Sequence, residues 1–176
     1  MRFVRFLAAT LLALSAPAMA QMSGVLQCVT YARAASGIEL RGNAQDWWDR
    51  AEGRYERGQT PRVGAVMAMP SFAGMRYGHV AMVSKVVSTR EILLSHANWS
   101  RPGMVERDVL AVDVSEKGDW SRVRIWHGGS AKLGITSYPV SGFIYNSTPD
   151  YRVASKAGST GLQLSEDVRA LAARQG

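Results

Sequence analysis

The spacing of apolar positions changes partway along this chain. Between residues 25 and 36 it follows the helical repeat: Val25, Val29, Ala32 and Ser36 share a stripe, with Cys28 and Ala35 beside it. Ser23 is placed to cap the start of this helix and Gly37 to stop it. A second helix is predicted over 43–56, "NAQDWWDRAEGRYE", with Asn43 as N-cap and Trp47, Trp48 and Ala51 facing inward. Gly53 weakens its last turn, and "RGQTPRVG" reads as a loop. Beyond it the period falls to two. Strands are expected at 65–69, 78–87, 91–99, 120–129 and 140–146, with a hairpin turn at Ser88-Thr89-Arg90. Helices first and antiparallel strands after them make an α+β domain.

The two ends differ from this core. "MRFVRFLAATLLALSAPAMA" opens with Arg2 and Arg5, continues with an apolar run and ends in small residues around Ala18 and Ala20. That is the order of a secretory signal peptide over 1–20, cut after Ala20, with a mature chain from Gln21. The apolar run is too short for a membrane span, so no stable membrane insertion is expected after cleavage. The expected location is the periplasm or the medium. From Ser147 the composition turns to Ser, Gly, Lys and Thr, and 147–176 reads as a mobile tail with room for one short helix at 165–175, capped by Ser165.

Charge narrows the partners. The formal charge is +7, and loss of Arg2 and Arg5 lowers it to +5. An excess of this size suits approach to an anionic surface such as a cell wall. The arginines are scattered rather than gathered in a run or motif, which argues against nucleic acid.

Cys28 is the only cysteine in the chain, so it has no internal disulfide partner. It can be a small buried hydrophobe, a lipid anchor, a metal ligand or a reactive thiol. Gln27 stands where a lipidation site needs a small residue. No CxxC or HxxxH spacing supports a zinc site built from Cys28, His79 and His96. A place in the first turn of a helix favours the thiolate. Strand parity adds a second pair. His79, Ala81 and Val83 share one face, and Ile92, Leu94, His96 and Asn98 share one face of the next strand. The turn at 88–90 makes His79 and His96 cross-strand neighbours, close enough for their rings to share a hydrogen bond. Nothing in the patterning brings Cys28 to them. Trp47 and Trp48 read better as packing residues than as a sugar platform. His127 receives no role.

The segments "LQCVTYARAASG", "GNAQDWW", "PRVGAVMAM", "GHVAMV", "SHANW" and "YPVSGFIYN" follow one another in an order that resembles the CHAP domain. CHAP domains are cysteine, histidine-dependent amidohydrolases/peptidases, related to the NlpC/P60 group, and the resemblance runs from about Met22 to Asn146. It implies a papain-like fold, with the N-terminal helices packed on an antiparallel sheet and a catalytic domain at 21–146. It also implies Cys28 as nucleophile, after Gln27, and His79 as base, at the start of a Gly-His-Val strand. The third polar group is expected from the next strand, at His96 or Asn98. Many CHAP domains carry Glu where this chain has His96, and a histidine there is similar to NlpC/P60 relatives.

The chemistry implied is amide cleavage in peptidoglycan peptides, by amidase or endopeptidase action, through an acyl-thioester and without metal or cofactor. A thiol attacks a carbonyl as thiolate, the histidine protonates the leaving amine, and a third group orients the histidine. The Cys28 N–H and the Gln27 side chain are the expected oxyanion donors. Tyr31, one helical turn on, and Trp99 are expected at the edge of the site, and the loop at 70–78 is expected to wall the cleft. Two other readings use the same residues: a silent peptidoglycan-binding module, and a secreted toxin that degrades rival walls.

Overall fold

A computed structural model of the protein describes residues 24–146. The signal segment, Ser23 and the tail from 147, with its helix at 165–175, lie outside the described residues. Helix α1 spans Cys28–Ser36 and starts three residues later than its apolar stripe suggested. Gln27 is the N-cap, extended at φ −92° and ψ 152°, and its side chain makes no cap bond. Val25 therefore lies outside the helix and is exposed. Gly37 ends the helix in the left-handed region at φ 70°, with its N–H on the Arg33 carbonyl, a conformation that costs glycine nothing. The buried face of α1 is Cys28, Ala32 and Ser36.

The long second helix is not formed. A 3-10 turn at Ala44–Asp46 leads into a short α2 at Trp47–Arg50, and turns follow. Gly53 turns left-handed at φ 69°, and the chain then enters a strand, Glu56–Gly58, inside the segment expected to be helix and loop. Trp47 and Ala51 are fully buried. Trp48 is half-buried, with the Arg57 guanidinium 4.8 Å from its ring centre. Tertiary pairing and a cation over an aromatic ring outweigh weak helix propensity here.

The strands are β1 (Glu56–Gly58), β2 (Val66–Met69), β3 (His79–Val86), β4 (Glu91–Ala97), β5 (Val105–Asp113), β6 (Arg122–His127), β7 (Lys132–Leu133), β8 (Tyr138–Pro139) and β9 (Gly142–Tyr145). Their order in the sheet is β1-β9-β2-β3-β4-β5-β6-β7, with β8 also on β6, and the pairs are antiparallel. All five expected strands shorten, by one to four residues; β2 loses only Ala65, and all five keep their place. β5, β7 and β8 fall in stretches where no strand was expected, and β1 where helix and loop were.

The sheet separates two cores. On one face Cys28 and Ala32 of α1 pack with Ile38, Leu40 and Trp47 against Val66, Ala68, Val80 and Ile144. On the other, Met67, Ala81, Val83, Ile92, Leu94, Ala111, Val123, Ile125 and Phe143 form a single cluster. That inner face closes on itself. Trp120, just before β6, meets Phe143 of β9 edge to face at 6.0 Å, although these strands are far apart in the sheet. The architecture is thus α+β with an antiparallel sheet, and its helical part is small. Among the described residues, no helix is long and apolar enough to cross a membrane.

Candidate active site

Helix α1 begins at Cys28, so the thiol sits on its first turn, where backbone N–H groups are free of helical partners. Burial raises the thiol pKa above its ordinary value, while the N–H groups of Val80, Val29 and Cys28 itself pull it down. Burial is the larger effect, so the depressed thiol expected from the helix terminus is not what the site provides at rest. The N–H of Val80 belongs to the residue after His79, so α1 and the start of β3 meet at the thiol.

Gly78 makes that meeting close. Its φ is +70°, and a Cβ there would lie 2.5 Å from the Met69 carbonyl oxygen and 2.6 Å from the Gln45 nitrogen. Only glycine fits. His79 is buried, and its Nε2 lies 3.0 Å from His96 Nδ1. The other ring nitrogen, Nδ1, is not engaged by this bond. Burial, and then the neighbouring His96, hold His79 well below the ordinary 6.5. Burial lowers His96 to about 4. Both imidazoles are therefore neutral at pH 7, and one must donate to the other. The ladder pairs Met82 with Ser95, and that register carried outward makes His79 and His96 diagonal rather than direct partners.

Asn98 does different work from His96. β4 ends at Ala97, and Asn98 turns left-handed at φ 62°. Its Oδ1 accepts the Gly103 N–H at 3.0 Å, and its Nδ2 donates to Gln27 Oε1 at 3.0 Å. Gln27 Nε2 in turn donates to the Val25 carbonyl at 2.9 Å. A backbone donor at one end and a backbone acceptor at the other fix both amide orientations. Asn98 thus positions Gln27, and one hydrogen of the Gln27 amide remains uncommitted by these bonds.

A cleft of about 510 Å³ opens over the thiol. Gln27 and Cys28 line it from α1, His79 from β3, and Asn98 and Trp99 from the end of β4. Gly74 to Gly78 form one wall, within the loop expected to do so, and Gly42 to Ala44 another. The Trp99 ring lies 4.8 Å from His79 and 5.1 Å from Tyr138, with its Nε1 donating to the Trp126 carbonyl at 3.1 Å. Tyr31 is half-buried on α1 and is not among the cleft residues, while His96 is sealed behind His79 and Trp99.

Residues 19–98 match the CHAP domain family. The match includes Cys28, His79, His96 and Asn98 and stops before Trp99. CHAP domains are hydrolases of the peptidoglycan amidase/peptidase type. A search of the curated proteins finds no match. Beyond the CHAP segment the structure adds three residues that sequence reasoning passed over. His127 and Tyr138 line the cleft, and Glu106 is buried beside His96, with Oε2 3.7 Å from His96 Nε2. No periodic signal marks His127 or Tyr138, because both reach the site from the ends of short strands. Among the described residues, no group of three or more His, Cys, Asp and Glu side chains is arranged to hold a metal ion.

Proposed function

We propose that this protein is an exported cysteine hydrolase that cleaves amide bonds in peptidoglycan peptides, with a papain-like arrangement of its helix and sheet. One observation carries the reading: Cys28, at the N-terminus of α1, and His79, at the start of β3, line the same cleft within a segment that matches the CHAP domain. Export is supported by the leader-like residues 1–20.

In the proposed cycle the Cys28 thiol gives its proton to His79 Nδ1 as its sulfur bonds to the substrate carbonyl carbon. The oxyanion receives hydrogen bonds from the Cys28 N–H and the free hydrogen of the Gln27 amide. The C–N bond then breaks, and the imidazolium returns the proton to the leaving amine. Water, deprotonated by His79, hydrolyses the acyl-thioester and restores the thiol. Both partners rest in their neutral forms, so proton transfer accompanies attack rather than preceding it. His96 holds the His79 ring so that Nδ1 faces the thiol.

The test is digestion of purified muropeptides by the protein and by its Cys28→Ala variant, with product masses. New fragments from the parent alone are expected, and their masses identify the cut bond. Binding without fragments from either protein would instead indicate a module that holds wall peptides without cutting them.

A further inference from the structure

We propose that Glu106 is a positioning residue that fixes the tautomer of His96 and thereby keeps His79 Nδ1 an acceptor facing Cys28; this rests on the reading of His79 as the base for Cys28. The position of Glu106 is produced by a bulge. β4 and β5 pair Leu94 with Val109, and that register carried on would place Arg107 opposite His96. The ladder slips by one residue instead, at a point where Asp108 takes a left-handed φ of 54°, and Glu106 becomes the partner of His96. A bulge that re-aims one side chain has here exchanged a cation for an anion.

The carboxylate is itself held. Glu106 Oε2 accepts the Ser100 N–H at 3.1 Å, and Oε1 accepts the Ser100 hydroxyl at 2.8 Å. The Ser100 hydroxyl oxygen accepts the Gly128 N–H at 2.7 Å, so its one hydrogen is committed to Glu106. Both carboxyl oxygens are acceptors. The titratable groups around His96 are then Glu106 on one side and His79 on the other, with the Trp99 ring stacked at 5.7 Å.

His96 Nε2 is buried without a hydrogen bond, and Glu106 Oε2 faces it at 3.7 Å. With the proton on Nε2, an N–H points at the carboxylate, and Nδ1 accepts from His79 Nε2–H. His79 Nδ1 is then a lone pair, ready for the thiol proton. With the proton on His96 Nδ1, a lone pair would face the carboxylate, and His79 would carry its hydrogen on Nδ1, where it could not act as base. Glu106 selects the first state. It lies outside the segment that matches the CHAP domain, so this function belongs to the second half of the sheet.

Nitrogen-15 spectra of the full chain at pH 7 should show His96 protonated on Nε2 and His79 protonated on Nε2. Glu106→Leu should lower kcat about 10- to 100-fold with KM nearly unchanged, and slow alkylation of Cys28 by iodoacetamide. Glu106→Gln should stay within about tenfold of the parent, because its oxygen still accepts and its amide nitrogen can donate to the Ser100 hydroxyl. A His96 proton on Nδ1 in the parent would overturn the proposal, as would a folded Glu106→Leu with unchanged kcat and alkylation rate. If Glu106→Leu does not fold, the parent spectrum and Glu106→Gln decide. The tautomer and alkylation readouts need no substrate, so an inactive parent with the expected spectrum would count against the hydrolase reading alone.

Discussion

His96 lies on β4 and Asn98 just past its end, and their hydrogen bonds separate them. His96 reaches the His79 ring, whereas the Asn98 amide is divided between Gly103 and Gln27. Neither can take the other's place. His96→Ala should therefore lose more of kcat than Asn98→Ala. The effect of Asn98→Ala should travel through Gln27: a lost oxyanion donor costs about 2.7–4 kcal/mol of barrier, and the double variant Gln27→Ala/Asn98→Ala should be little worse than Gln27→Ala alone. Additive losses in that cycle would mean that Asn98 acts elsewhere. His96 also makes a stability prediction. Its pKa falls from 6.5 unfolded to about 4 folded, so the unfolded chain binds more protons between those values. Stability is complete above pH 6.5 and is lost as the pH falls toward 4, by about 3 kcal/mol from this group. Denaturant titrations at pH 7 and pH 4.5 measure the difference, and His96→Gln should reduce it.

At the scale of elements, the chain was legible where one principle governed a segment. In the hairpin of β3 and β4, parity within each strand was enough to bring His79 and His96 together, although a bulge between Val83 and Lys85 shifts the register. β5 breaks that rule. Its bulge puts Glu106 and Val109 on the buried side with two exposed residues between them, and its buried positions include the charged Glu106 and Asp113. Hydropathy carries no signal for a strand that buries carboxylates, and the Glu106 contact was lost with the strand. The second helix failed for another reason: α2 is cut short because Glu56–Gly58 finds a partner in β9, a contact far off in sequence. The meeting of α1 with β3 also needed the fold, and it rests on Gly78. Gly78→Ala would drive a Cβ to 2.5 Å from the Met69 carbonyl oxygen at a left-handed φ. A loss of about 3 kcal/mol in chemical unfolding is expected. A loss below about 1 kcal/mol would show that the loop before His79 yields easily.

For the whole molecule, charge ties the cleft to its surroundings. The chain carries a formal +7, and among the described residues that line the cleft there is no Asp or Glu. Among the described lining residues Arg76 is the one permanently charged side chain, set 5.3 Å from the Tyr77 ring on the Gly74–Gly78 wall. A substrate group of negative charge would complement this cleft. As a group that holds a substrate carboxylate, Arg76 should bind ground state and transition state equally, which affects KM and leaves kcat alone. Arg76→Ala should raise KM about tenfold for a peptide with a free carboxylate and much less for the same peptide amidated. Its position on an exposed loop means that stability should barely change. Salt should weaken the carboxylate peptide in the parent and have little further effect in the variant, because the charge being screened is then gone. Equal KM changes for the two peptides would place the carboxylate elsewhere in the cleft.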